Sequence, residues 1–262
     1  MVSGKGAPGV TTVAIGLAAV LAEKGRRVVL VDADLRGGNV VGYLDLDPRC
    51  GLLGLTFGGN GGSGKARLED ELQEGPGFMV LAGMERPESW HRVSAELATA
   101  AVTTLRALFE DIVVDVGEVV GGVSSSTTDA ILRLADRVLL VAGADLVALW
   151  NARSAVRHLR EGLGIAEETM AVVLNRREGR EHYAAREVER ALGLLVLAAV
   201  REDRRAARRA IEQQVPITAV RGRAARELRA LASRLAVTAP TAVPGRKRQW
   251  LPLFKRSLAG RT

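Results

Sequence analysis

The chain has 262 residues, 47% hydrophobic and 26% charged, which is ordinary for a globular protein and enough for one large domain. Its single cysteine, Cys50, excludes an internal disulfide and suits a reducing compartment. The longest apolar helical pattern, residues 13–22, is about half of the ~20 residues that a membrane span needs. With no secretory signal pattern at the N-terminus, we expect a cytoplasmic protein.

The net charge of +7 is unevenly distributed along the chain. Residues 1–200 carry a net charge of −5, whereas residues 201–234 contain ten arginines and four acidic residues. Residues 241–262 contain six Lys or Arg and no acidic residue. The basic character therefore belongs to the C-terminal quarter and indicates an anionic partner there, either nucleic acid or a membrane surface.

Short Val- and Leu-rich runs alternate with stretches whose apolar residues recur three and four positions apart. The short runs predict buried strands at 27–32, 78–82, 112–116, 138–142, 170–175 and 194–200. The longer patterns predict helices at 12–24, 93–109, 147–163, 184–192 and 224–236. This alternation predicts an α/β fold, a doubly wound and mostly parallel sheet with helices on both faces, over residues 1–240. Residues 241–262 are expected to form a separate basic, amphipathic tail.

The N-terminal segment SGKGAPGVTT fits the phosphate-binding pattern G-x-x-x-x-G-K-[ST] except at one position. Gly4, Gly9 and Thr11 match, and Val10 stands where the pattern has lysine. Backbone N–H groups of such a loop, with the N-terminus of the following helix, bind phosphates. Thr11 is placed to bind Mg²⁺ and Thr12 to reach the α-phosphate. The alternative is a glycine-rich turn capped by threonines. Only two residues precede the loop, so its strand is either very short or begins upstream.

A second segment, GNGGSGKA at residues 59–66, matches G-x-x-x-x-G-K literally. It ends in Ala66, has no hydroxyl for magnesium, and follows a glycine-dense stretch instead of a strand. We expect a surface loop there.

The segment KGAPGVTT resembles the deviant Walker A loop K-G-G-x-G-K-T-T of the MinD/ParA family of P-loop ATPases. Later segments resemble the family's other motifs in the same order. VDAD, ending at Asp34, resembles the D-x-D after the second strand, and DIVVD, ending at Asp115, resembles the Walker B strand. Asn175-Arg176 and the region around Asp203 resemble the segments beside the adenine. The resemblance implies a MinD-like P-loop NTPase fold of the SIMIBI class.

The resemblance also implies roles for individual residues. Lys5 would reach the partner's phosphates across an ATP-sandwiched homodimer, and Asp34 would contact the attacking water. Thr11 and, through water, Asp115 would hold Mg²⁺. The residues implied to bind ATP or ADP are Gly4, Lys5, Gly6, Ala7, Pro8, Gly9, Val10, Thr11, Thr12, Asn175, Arg176 and Asp203.

Within the family, three passages at 34–49, 81–88 and 145–153 are most similar to the CpaE/TadZ branch, which positions Tad pili. The likeness covers roughly residues 1–237 and implies a positioning protein in pilus assembly, with an unknown protein cargo. The alternatives are an active dimer-dependent ATPase in septum-site, flagellar or chromosome and plasmid partitioning, and a nucleotide-free scaffold.

Two departures from the family pattern predict binding with weak or absent hydrolysis. Val10 removes a charge-assisted phosphate contact of about 1.5–3 kcal/mol, which is ten- to a hundredfold in affinity. Residues 116–118 are Val-Gly-Glu instead of the family's T-P-P. Positioning and charge supply most of phosphoryl-transfer catalysis, so turnover is expected to suffer more than binding.

The tail combines basic residues with an aromatic-apolar face, the pattern of an interfacial helix. It also resembles the membrane-targeting helix of MinD proteins, which implies peripheral association with the inner face of the plasma membrane. The alternatives are a disordered or self-packed tail and non-specific DNA binding. The residues concerned are Arg246, Lys247, Arg248, Trp250, Leu251, Phe254, Lys255, Arg256 and Leu258.

Overall fold

The computed structural model describes residues 1–6, 8–56, 64–83, 87–119, 125–177 and 183–238. The strands are β1 (Val2–Ser3), β2 (Val28–Asp32), β3 (Leu72–Glu74), β4 (Met79–Leu81), β5 (Asp111–Asp115), β6 (Val138–Ala142), β7 (Met170–Arg177) and β8 (Val196–Arg201). The helices are α1 (Val10–Glu23), α2 (Val40–Leu44), α3 (Gly64–Glu71), α4 (Ala95–Leu108), α5 (Ser126–Leu134), α6 (Leu146–Arg157), α7 (Ala185–Leu192), α8 (Arg204–Glu212) and α9 (Arg223–Thr238).

The strands form a twisted layer in the order β3-β4-β2-β5-β1-β6-β7-β8. Ladder pairs are parallel except β3 with β4. The two halves join where the Val116 N–H donates to the Met1 carbonyl and the Ser3 N–H to the Gly117 carbonyl, each at 2.9 Å. The predicted doubly wound, mostly parallel sheet is confirmed, and the six predicted strands are present with ends shifted by at most two residues. The short edge strand β3 has no apolar run and was not predicted.

Side chains of β2 show why its sequence is apolar throughout. Val28 and Leu30 pack into the core layer that contains α1 and α9, whereas Val29 and Val31 pack into the layer that contains α4 and α5. Both faces of the central strands are therefore buried under helices, so neither face needs polar residues.

The five predicted helices are present, with differences at their ends. The pattern predicted at 147–163 is α6 followed by a π-helical turn, His158–Gly162. Residues 59–63 of the predicted glycine-rich surface loop lie outside the described residues. From Gly64 the chain is helical, so the loop prediction is wrong for its last three residues. Within the described ranges no helix has the length and apolar character needed to cross a membrane.

Asp32 closes β2 and fixes the segment that leads into α2. Its side chain is 1% exposed, and its two oxygens accept the N–H groups of Asp34 and Val40, each at 3.2 Å. Burial, reinforced by the nearby Asp115 carboxylate, raises the pKa of Asp32 to about 8. A carboxyl group in this position favours its protonated form in the folded state.

Because of Asp32, the free energy of unfolding should therefore decrease as pH rises. An unfolded Asp releases its proton near pH 4, whereas the folded one keeps it to about pH 8, so the native state binds more protons between these values. The free energy of unfolding should fall by up to about 1.4 kcal/mol per pH unit in this window. Asp32→Asn should remove this contribution in urea melts at pH 5, 6.5 and 8. The control variant Asp45→Asn changes an exposed residue with a φ of 52°. Its free energy of unfolding should depend on pH as that of the wild type does. Parallel profiles for wild type and Asp32→Asn would refute the assignment.

Candidate functional site

The glycine-rich loop lies at the carboxyl end of β1, in the middle of the sheet, and leads directly into α1. Gly6 and Gly9 have φ angles of 112° and 88°, in the left-handed region that glycine adopts without strain. Gly9 precedes the first helical residue, and a Cβ on Gly9 would lie 2.7 Å from the side-chain Nδ2 of Asn175. The first N–H groups of α1 have no partners within the helix, so they and the helix dipole favour an anion at this loop.

Two asparagines hold the loop peptides in place. The Asn151 Nδ2 donates to the Lys5 carbonyl at 3.0 Å, and the Asn175 Nδ2 donates to the Pro8 carbonyl at 2.7 Å. Because a trans peptide points its C=O and N–H in opposite directions, these bonds also direct the N–H groups of Gly6 and Gly9.

Glu118 supplies a carboxylate to the loop. Its Oε1 accepts the Gly6 N–H at 2.9 Å, so a loop amide already binds an anionic oxygen in this structure. Glu118 follows β5 and stands where the family pattern has a proline. The departure from the family pattern is visible in the sequence, but the contact with Gly6 could not be predicted from it.

Asp115 ends β5 below the loop and is fully buried. Its Oδ1 accepts the Gly117 N–H at 3.0 Å, but among the described residues its Oδ2 has no hydrogen-bond partner. Burial raises the pKa of this carboxyl, and the Thr11 hydroxyl opposes that shift. An unpartnered buried carboxylate oxygen beside a threonine hydroxyl fits a hydrated Mg²⁺, for which oxygen ligands are preferred.

Asp34 lies next to Asp115 on the neighbouring strand end. Burial, followed by the Asp115 charge, raises its pKa, and its Oδ1 accepts the Gly37 N–H at 3.1 Å. Gly117 approaches so closely that a Cβ there would lie 2.4 Å from the Asp34 Cγ. In the described part of the chain, no group of three or more His, Cys, Asp or Glu is placed to hold a metal by itself. A magnesium ion here would take its remaining ligand oxygens from water or from a bound phosphate.

Two clefts that share Thr12 and Arg176 lie beside the loop and the first turn of α1. One of about 460 Å³ is lined by Thr11, Thr12, Asp34 and Glu118, and another of about 390 Å³ by Asp203 and side chains of α8 and α9. Arg176 lines both of them. The first cleft has the size and polar lining for phosphates, and the second combines polar groups with an apolar wall.

Several predicted site residues also make contacts that stabilise the fold. Asp203 caps α8 by accepting the Ala206 N–H at 3.1 Å and also accepts the Arg223 N–H at 3.0 Å. Val10 is 6% exposed, packs into the core below the loop and brings no charge to the cleft that it lines. The Lys5 side chain is exposed beside α6. Ala7 and the tail residues 246–258 lie outside the described residues.

The sequence matches the family described as CobQ/CobB/MinD/ParA nucleotide binding domain over residues 1–217. It is 25% identical over 203 residues to an uncharacterized ATP-binding protein of Methanocaldococcus jannaschii, covering 77% of this chain and 72% of that protein. It is 29% identical over 163 residues to the antiactivator FleN of Pseudomonas aeruginosa, covering 62% of this chain and 56% of FleN.

A solved structure shares the fold. The septum site-determining protein MinD of Pyrococcus horikoshii, complexed with Mg-ADP, superposes with a TM-score of 0.71 at 19% identity, covering 89% of this chain and 94% of that one. The family match spans most of the chain and includes the loop, β2, β5 and Asn175-Arg176. The chain therefore belongs to the CobQ/CobB/MinD/ParA nucleotide-binding domain family.

Proposed function

We propose that this chain is a MinD/ParA-type positioning protein that binds ATP or ADP together with Mg²⁺. The carrying observation is the loop itself, whose Gly6 amide binds a carboxylate oxygen, together with the buried Asp115 at the end of β5, whose Oδ2 has no hydrogen-bond partner among the described residues. The Mg-ADP complex of the structurally similar MinD supports the same ligand class.

In this proposal the phosphates lie against the loop and the first turn of α1, and the adenine enters the cleft beside Asp203. The Thr11 hydroxyl and, through water, Asp115 hold the Mg²⁺, which would neutralise phosphate charge. Asn175 acts mainly by holding the Pro8 carbonyl, so that the Gly9 peptide keeps its orientation.

Hydrolysis is proposed to be weak because Val10 provides no cation for the phosphates. Lys5 would supply one from a second copy in a nucleotide-dependent homodimer, and its exposure permits that reach. Beside it, α6 presents Leu146, Val147 and Trp150, which are 68%, 68% and 75% exposed. Such a contiguous apolar group next to the loop suits burial against a second copy.

For the biological role we propose a CpaE/TadZ-like part in pilus assembly, supported by the three sequence passages named above. The basic, aromatic tail would hold the protein at the inner face of the plasma membrane, and two tails in a dimer would bind more tightly than one.

Calorimetric titration of ATP and ADP with Mg²⁺ tests nucleotide binding. The wild-type chain should bind both, and Val10→Lys should bind ATP about ten- to a hundredfold more tightly because it restores a charge-assisted contact. The same variant should raise steady-state phosphate release. As a control, Leu195→Lys adds the same charge at an exposed position just before β8, at the amino ends of the strands and away from the loop, and should leave nucleotide affinity unchanged. A wild-type chain that stays folded and gives no heat at millimolar nucleotide would exclude the proposal.

Glu118→Gln should strengthen nucleotide binding by about tenfold. The carboxylate competes with phosphate for the Gly6 N–H and repels it, and the amide removes the charge at constant size. The matched control is Glu110→Gln, since Glu110 also accepts a backbone N–H, that of Arg27 at 2.9 Å, but away from the loop. Unchanged ATP affinity in Glu118→Gln would show that its carboxylate does not oppose the ligand.

Co-sedimentation with liposomes tests the tail. The full chain should pellet with vesicles containing anionic lipid, and a chain ending at residue 245 should remain in the supernatant. A variant with Trp250→Ala and Phe254→Ala keeps the charges and should lose most of the binding, because the apolar face is removed. Equal pelleting of the shortened chain would remove the tail from the proposal.

A further inference from the structure

Arg176 occupies an unusual backbone position directly beside the loop. It is near the end of β7 with a φ of 52°, a left-handed conformation that non-glycine residues rarely adopt because it is strained. The preceding Asn175 is bonded to the Pro8 carbonyl, so the backbone that carries Arg176 is tied to the loop.

The guanidinium of Arg176 lies over Gly9. Its Nη2 and Nε are 3.7 and 3.8 Å from the point where a Cβ on Gly9 would be. Gly9 immediately precedes Val10, the position at which the phosphate-binding pattern has its lysine. The arginine thus brings a cation to the stretch of backbone from which the usual cation is missing.

Among the described side chains that line the 460 Å³ cleft, the cations are Arg36 and Arg176. Arg36 lies over the ring of Trp90, 4.6 Å from its centroid, and is engaged there. The Arg176 guanidinium makes no hydrogen bond or ion pair with another described residue. It faces the same cleft as Thr11 and Thr12, so its donors are available to an anion in that cleft.

We propose that Arg176 is the phosphate-binding cation of this site and takes the place of the loop lysine that Val10 replaces. The inference rests on the proposed function, since it assigns the group that neutralises a nucleotide's phosphates. A guanidinium presents a planar fork of donors that suits two phosphate oxygens at once, so it can act from a different strand than the lysine. The competing role is stacking on the adenine, because Arg176 also lines the cleft beside Asp203.

Two probes separate these roles: Mg-ATP, and tripolyphosphate with Mg²⁺, which has no base. Binding is measured by competition against a fluorescent ATP analogue. Arg176→Gln should weaken the binding of both probes by the same factor, about ten- to a hundredfold. The affinity of Arg176→Lys for each probe should stay within about fivefold of the wild-type affinity. Adding Val10→Lys to Arg176→Gln should restore most of the lost affinity, because the new cation serves the same phosphates.

Arg208→Gln is the matched control, since Arg208 is exposed and lines only the cleft beside Asp203. It should leave tripolyphosphate binding unchanged. Loss of ATP affinity with tripolyphosphate affinity intact would overturn the assignment in favour of stacking, and unchanged affinity for both probes would overturn it outright. A folded wild type that binds neither probe would overturn the proposed function and this assignment together. Thermal melts of each variant establish that it is folded.

Discussion

The peptide between Lys5 and Gly6 is fixed at both of its polar ends, and the candidate site depends on this constraint. Asn151 binds its carbonyl and Glu118 accepts its N–H. Asn175 holds the Pro8 carbonyl in the same way. Since a peptide unit is rigid and planar, fixing one end orients the other, and a short glycine-rich segment becomes a set of directed donors. Because the loop is already ordered, binding of an anion does not require the free energy of ordering it.

The parallel sheet brings the remaining groups to the same place. β1, β2, β5 and β7 all end at one edge, so Asp34, Asp115 and Arg176, which are far apart in sequence, meet around the loop. That convergence is a general property of open α/β sheets and explains why motif order along the chain indicated one site. Burial raises the pKa values of Asp32 and Asp34, and the nearby Asp115 carboxylate raises both further.

The central strands could be predicted because strands buried on both faces are apolar throughout. The recurrence of apolar residues three and four positions apart predicted α1, α4, α6, α7 and α9, whereas α3, α5 and α8 were not predicted. Short elements without such a pattern, β3 and α2, depend on pairing and capping partners distant in sequence and could not be predicted. The same limit applies within the site. The glycines and aspartates could be predicted from motif spacing, whereas the contact of Glu118 with Gly6 and the approach of Arg176 to Gly9 arise only when separate strands lie side by side.

The bond between Asn151 and the Lys5 carbonyl has a consequence for communication across the surface. Asn151 lies on α6 next to Trp150, whose ring is largely open to solvent. A molecule that covers this ring and displaces α6 would also displace the Asn151 amide and the Lys5 carbonyl that it binds. By linkage, an anion whose binding depends on the orientation of that peptide would then change the affinity for the molecule by the same factor by which the molecule changes the affinity for the anion. The hydrogen bond of Asn151 thus connects the exposed apolar face of α6 directly to the donors of the loop.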